Sequence, residues 1–386
     1  MELKSILNAQ DLFATLADLV AINSVNPQYP GGSGEDALAE YVADYCRKYS
    51  IPFEFQTVSA GRRNVIARLE GASGRTLVME AHMDTASELG MRRDPFRPVR
   101  EGNRLYGRGS CDTKGGLAAV MHALRILREA GVRPRSSVFL VAAVDEEYSF
   151  RGVVKFLEKG IPADGAIVAE PTGLETVVAS KGVLRWRLKT RGRAAHSSKP
   201  HLGINAVTKM AKVLTAMEQT FPPMFEKRHH PLLGSPTLNV GVIRGGVQVN
   251  QVPDSCLIEI DRRLLPGETK ESVWEEFEGL LTRLCAQDPD LEVEMEPPLR
   301  EDYPLETSAS ERVVQVVSKI SSELLGYSRT VGVPYGSDAS KLARAGIPSI
   351  ILGAGNIDQA HAAEEHVELD QVVMAAEIYA RSILEF

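Results

Sequence analysis

Hydrophobic positions in the first part of the chain switch repeatedly between two spacings. Leu12, Phe13, Leu16, Leu19 and Val20 recur at helical intervals, whereas residues 64–69, 76–79 and 137–144 form short apolar runs of strand length. This alternation predicts an α/β domain with a mixed, largely parallel sheet flanked by helices. Near residue 179 the character changes. Across 183–190, Leu184, Trp186 and Leu188 alternate with Arg185, Arg187 and Lys189, as in a strand with one face in water. A helix pattern follows (Val207, Met210, Leu214, Met217, Phe221), then strands at 237–242 and 255–262. A second helix pattern (Val273, Trp274, Phe277, Leu280, Leu281, Leu284) precedes a strand at 291–295. This block has its own apolar core and reads as a smaller α+β domain. Pro297 and Pro298 close it, after which helix and strand patterns resume at 313–325 and 349–352. The expected organisation is a first domain in two parts, 1–178 and 297–386, with residues 179–296 inserted between them.

Composition supports two cores. The chain has 386 residues, of which 44% are apolar, enough to fill both. A formal net charge of −7 and a pI near 5.7 give no electrostatic basis for nonspecific binding to nucleic acid or to an anionic membrane. Cys46, Cys111, Cys256 and Cys285 are scattered, with no Cys-x-x-Cys pair. That usage fits a reducing compartment, and a cytoplasmic location is expected. The N-terminus lacks a basic region followed by an apolar one, and no apolar run reaches the roughly 18 residues of a membrane span.

The candidate chemistry lies in five segments, mostly where strand patterns end: Ala-His-Met-Asp-Thr (81–85), Gly-Arg-Gly-Ser-Cys-Asp-Thr-Lys-Gly-Gly (107–116), Asp-Glu-Glu (145–147), Ala-Glu-Pro-Thr (169–172) and Gln-Ala-His (359–361). His82, Asp112, Glu147, Glu170 and His361 are the potential metal ligands, and two His with three carboxylates suit a borderline divalent ion such as zinc. On a strand, Asp84 points to the same side as His82, so its carboxylate is positioned to accept from one imidazole nitrogen. Four glycines around Asp112 point to an irregular backbone in close approach to a ligand, or to an ordinary glycine-rich loop leading into a helix over 117–127. Cys111 adjoins Asp112 and reads as a small packing residue. Glu146 and Glu147 close an apolar strand, where adjacent acids are costly unless a metal or protons offset them. Neighbours on extended chain point apart, so one can hold a metal while the other serves as general base. A surface turn with Asp145 as a helix cap is the alternative.

The ordered set resembles peptidase family M20, the co-catalytic zinc peptidases and amidohydrolases, over nearly the whole chain. Further matching segments are 192–203 around Ala195-His196, Asp261-Arg262-Arg263 and Glu170-Pro171-Thr172. The resemblance implies two divalent ions, zinc or alternatively cobalt, with Asp112 bridging them; His82 and Glu170 complete one site, and Glu147 and His361 the other. Glu146 is then the base, Asp84 a supporting catalytic residue, and Asp112-Thr113 a cis peptide. The inserted block is implied to be a ferredoxin-like lid and dimerisation domain, giving a homodimer. His196 resembles the family histidine that reaches into the other subunit's active site and hydrogen-bonds the developing oxyanion. Asn250 and Arg263 resemble residues that hold the polar groups and carboxylate of the substrate. On the residues alone, His196 capping a loop and Arg263 pairing with Asp261 is the plainer reading. His122, His201, His229, His230 and His366 are assigned to surface or packing roles.

The implied reaction is amide hydrolysis of a small N-acylated amino acid. Segment 353–361 resembles the pattern of acetylornithine deacetylases more than that of desuccinylases, which favours N-acetyl-L-ornithine as substrate. Desuccinylation of succinyl-diaminopimelate and hydrolysis of other N-acyl amino acids or dipeptides stay open. A serine hydrolase elbow is not present at Gly109-Ser110-Cys111, which lacks the second glycine. A two-metal phosphoesterase shares the ligand types, and a non-catalytic metal-binding protein is the remaining alternative.

Overall fold

Strands Ser137–Ala143, Thr76–His82, Gly165–Val168 and Ser349–Ile351 lie side by side and run parallel in the middle of a mixed sheet. Arg62–Leu69 and Phe53–Ser59 extend it antiparallel on one side, and Thr176–Ser180 pairs antiparallel on the other. The structure is a computed structural model describing residues 7–386. The central strands are buried on both faces, so they read as nearly continuous apolar runs. Leu77, Met79 and Ala81 join Leu16, Leu124 and Tyr379 in one core cluster. Because successive side chains on a strand alternate, Val78, Glu80 and His82 face the other way.

Helix Gly115–Glu129 is buried at nearly every position and packs against Leu369–Glu385. Its start touches the strand end that carries Glu170: a Cβ on Gly116 would stand 2.4 Å from the Ala169 carbonyl oxygen. Just before it, Asp112 and Thr113 leave helical geometry and their peptide bond is cis. Gly109, at φ +81°, makes the left-handed turn into this segment.

The chain divides into two units. One runs to Val178 and resumes over Glu306–Val331 and Ser337–Phe386; the other comprises Ala179–Leu305 and Gly332–Gly336. In the second, strand Gly182–Arg191 sits between Ser255–Leu264 and Glu292–Met295, with Thr237–Gly245 at the edge, all antiparallel. Helices Ala206–Phe225 and Lys270–Gln287 follow the first and third of these strands in chain order. This is the strand-helix-strand, strand-helix-strand connectivity of a ferredoxin-like layer. Leu184, Trp186 and Leu188 turn into its core, where Trp186 meets Phe277 edge-on at 4.8 Å between ring centroids. Arg185 and Arg187 on the wet face pair with Asp261 and Glu259. The sheet takes the chain beyond the two prolines, since Arg300–Asp302 also pairs with Gly182–Arg191. The main stretch of the second unit therefore runs to Leu305, where the sequence pattern places a break at 296.

Candidate metal centre

The carboxyl ends of the four parallel strands deliver the chemistry. His82 ends Thr76–His82, Glu146 and Glu147 follow Ser137–Ala143, Glu170 follows Gly165–Val168, and His361 lies on the loop after Ser349–Ile351. Open α/β sheets present ligands at this edge. Asp112 joins them from the segment before the central helix. Two groups of donor atoms result, His82 with Asp112 and Glu170, and Asp112 with Glu147 and His361, each with all atoms within 4.8 Å of one another.

Asp112 belongs to both groups, through different oxygens. Its Oδ1 stands 3.0 Å from His82 Nε2, and its Oδ2 stands 3.3 Å from His361 Nε2. Glu170 Oε1 is 3.6 Å from His82 Nε2, and Glu147 Oε1 is 3.1 Å from His361 Nε2. Donors bonded to one zinc ion at about 2.0–2.2 Å in a tetrahedron stand about 3.3 Å apart, so the spacing fits. The tautomer fits as well. His82 Nδ1 donates to the Asp84 backbone carbonyl at 2.9 Å, which leaves Nε2 a lone pair facing carboxylate oxygens. Such an arrangement is stable only with a cation or a proton between the lone pairs.

Burial raises the pKa of Glu147, and the Asp112 charge raises it further. Glu170 is raised by burial too, against the pull of His82. Hydrogen bonds to Asp112 and Glu147 hold the His361 imidazole up at about 11. Asp112 shifts the other way: burial opposes its charge, but hydrogen bonds from His361 and His82 drive its pKa down. Glu147 and Glu170 are buried beside other carboxylates that raise their pKa, a setting short of positive charge that divalent ions held there would supply. Glu146 is not in either donor group. Burial first, then the Glu170 charge, holds its pKa well above the carboxylate range.

The carboxylate of Asp84 has a different task from the one expected of it. It stands 3.6 Å from His82 Nδ1, too far to serve as the acceptor that the backbone carbonyl already provides. Its oxygens instead accept the backbone N–H groups of Glu146 (3.0 Å) and Glu147 (3.1 Å) and the Asn26 amide (2.7 Å). Behind it, Asn26 also donates to Asp145, and Arg62 bridges Asp145 and Glu35. These side chains are all buried and fix the turn that carries both glutamates. Asn26 and Glu35 lie on the connection between helices Ala9–Ala21 and Asp36–Lys48 and Arg62 starts a strand, and no local pattern marks them.

Cys111 is buried with its thiol on the Asn356 carbonyl and belongs to neither donor group. His122 is buried against Thr15 Oγ1. His196, Asn250 and Arg263 belong to the second unit. His196 is exposed; its Nδ1 accepts from the Ser198 N–H at 3.2 Å and lies 2.7 Å from the Ser198 hydroxyl, so the side chain caps the loop. Arg263 donates to Asp261 at 2.8 Å, and Asn250 is exposed, with its carbonyl accepting from Ser197 N–H.

Fold and donor set together give an α/β domain with two groups of residues at its strand ends able to hold metal ions, and a family match makes it a metallopeptidase-type hydrolase. The sequence profile of peptidase family M20/M25/M40 matches residues 78–385, and the chain belongs to that family, whose members hydrolyse amide bonds. It is 29% identical over 397 residues to an acetylornithine deacetylase of Vibrio campbellii, covering 100% of both chains. Its fold is similar to aminopeptidase PepT of Bacillus cereus, with a TM-score of 0.81 at 21% identity over 98% of this chain and 99% of that one. It is also similar to the Bacillus subtilis YXEP protein, a dinuclear metal-binding peptidase of family M20, with a TM-score of 0.74 at 16% identity over 99% and 98%.

Proposed function

We propose that the chain is a two-metal amidohydrolase that removes the acyl group from a small N-acylated amino acid, with N-acetyl-L-ornithine as the first substrate to test. The observation that carries this reading is Asp112, whose two oxygens face two separate imidazole nitrogens. His82, Asp112 and Glu170 would hold one divalent ion, and Asp112, Glu147 and His361 the other, with zinc or cobalt matching the donors. Ions bound there supply Lewis acidity towards the amide carbonyl and the attacking water.

Glu146 takes a proton from that water as its oxygen adds to the acyl carbon. It then returns the proton to the leaving amine as the C–N bond breaks, giving a carboxylic acid and an amine, and the acid's remaining proton passes to the amine to leave carboxylate and ammonium. On their own, burial and the Glu170 charge raise the pKa of Glu146, and divalent ions held beside it would favour the ionised form that takes the proton. Asp84 keeps Glu146 and Glu147 in fixed relation through their backbone N–H groups. His196, exposed on its loop, is assigned to the developing oxyanion, and Asn250 and Arg263 to the polar groups of the substrate. A homodimer through the inserted unit is part of the proposal. Its edge strand Thr237–Gly245 has one side unpaired among the described residues and carries exposed Ile243, a surface that a second copy can cover.

The acetyl preference rests on the 29% identity to the Vibrio campbellii enzyme and on segment 353–361. The test is kcat/KM on N-acetyl-L-ornithine beside N-succinyl-L,L-diaminopimelate, other N-acyl amino acids and a dipeptide. A preference of about 100-fold for acetylornithine supports the assignment, corresponding to about 2.7 kcal/mol in the transition state. A profile that peaks on another amide removes the ornithine assignment and keeps the chemistry.

A further inference from the structure

We propose that Glu365, gripped by Arg108, is the positioning residue that fixes the shared carboxylate Asp112; this rests on the two-metal reading above. Asp112 has no helix to hold its backbone, with φ −119° and ψ 93° in the segment before the central helix. Its N–H is taken by a side chain instead. Glu365 Oε1 accepts from the backbone N–H of both Cys111 (3.0 Å) and Asp112 (3.1 Å). Its other oxygen receives Arg108 Nη1 at 2.6 Å, while Arg108 Nη2 donates to the Ser87 carbonyl at 2.8 Å. Glu365 and Arg108 are 1% and 2% exposed, so the pair sits in the interior.

The backbone holds Glu365 from both sides. Gly107 N–H donates to its carbonyl, and the strand that follows it, His366–Glu368, pairs with Arg104–Tyr106. Arg108 and Asp112 belong to one glycine-rich segment, so Glu365 binds that segment at two points and sets the direction in which Asp112 projects. A buried ion pair is on average a poor source of stability, because desolvation offsets the attraction. Here the pair supplies what an apolar replacement cannot: one immobile acceptor for two amides next to the residue common to both ion sites.

Sharing makes a specific prediction. Loosening Asp112 weakens both sites together, whereas loss of a ligand private to one site weakens chiefly that site. The experiment titrates Zn²⁺ into metal-free wild type, Glu365→Gln and His361→Ala in competition with a chromogenic chelator, and follows thermal unfolding of the metal-free proteins in parallel. Both stepwise Kd values of Glu365→Gln are expected to rise by about 10- to 100-fold, the range for groups that orient metal ligands. His361→Ala should raise mainly one. Glu365→Asp, which keeps the charge and withdraws the acceptor, is the second variant should the first not fold, and the same joint rise is expected of it. If wild type binds two ions and the Glu365 variants keep both affinities, or lose only one, the positioning role is overturned and the hydrolase reading stands. A lower unfolding midpoint with unchanged Kd values also overturns it. If wild type binds no Zn²⁺, the two-metal reading itself falls.

Discussion

Asp112, Glu146 and Asp84 are carboxylates within one site, and their surroundings give them three different tasks. Asp112 is held ionised by the imidazoles on either side and can face two ions at once. Glu146, whose pKa burial and Glu170 raise, lies outside both donor groups and is the residue proposed to carry the proton. Asp84 spends its oxygens on two backbone amides and Asn26, and so acts as a brace. Replacing Glu146 with Gln is therefore expected to leave bound metal unchanged while kcat falls by about 10²- to 10⁴-fold, measured by amine release beside elemental analysis. His122 gives a test remote from the chemistry. Burial lowers its pKa from 6.5 to about 4. The unfolded chain takes up this proton first, so stability is full above pH 6.5 and declines as the pH falls towards 4, by up to about 3 kcal/mol. Urea unfolding of metal-free wild type and His122→Asn at pH 7 and pH 4.5 checks the sign: wild type should lose more on acidification. Equal losses would assign the acid sensitivity to other groups.

At the scale of elements, the catalytic edge exists because parallel strands all end on the same side and a helix start is allowed to touch them. Gly116 is the point of closest approach, with the Ala169 carbonyl 2.4 Å from where a Cβ would sit. Gly116→Ala must push the helix start away from the strand end, separating Asp112 from Glu170. The expected outcome is a loss of about 1–3 kcal/mol in unfolding free energy, with weaker Zn²⁺ binding at the site these two share. Much of this was legible in the sequence. The apolar runs at 76–79 and 137–144 and the alternation at 183–190 follow directly from burial on two faces or one. Of the five candidate ligands, His82, Glu147 and Glu170 follow such runs, whereas Asp112 stands in a glycine-rich segment before a helix and His361 in a loop beyond the last strand. The brace was not: Asn26, Glu35 and Arg62 meet only through tertiary contacts, and Glu365 looks like any acid in Glu364-Glu365-His366 until the strand His366–Glu368 is placed. Asp84 was assigned by strand alternation to the imidazole. The chain turns after His82, so the backbone carbonyl reaches Nδ1 first. The strand Arg300–Asp302 was hidden behind two prolines that read as a domain end.

For the whole molecule, the two-metal reading predicts that ions held by the buried acids at the strand ends contribute to folding as well as to catalysis. Removing divalent ions with a chelator leaves Asp112, Glu147 and Glu170 to repel one another, so the thermal midpoint should fall. Adding Zn²⁺ back should raise it with concentration, since ligand that binds only the folded state stabilises it. A midpoint indifferent to chelator would separate the acid cluster from metal. The second unit, with its own core around Trp186 and Phe277, should be insensitive to the same treatment if it is followed by tryptophan fluorescence, because both tryptophans lie there. The most direct measurement is ornithine release from N-acetyl-L-ornithine as Zn²⁺ is titrated into the metal-free protein. The arrangement around Asp112 predicts no turnover without metal and activity that saturates at about two equivalents per chain. Turnover that is complete in the metal-free protein, or absent from this and every other amide tested with both sites filled, would contradict it.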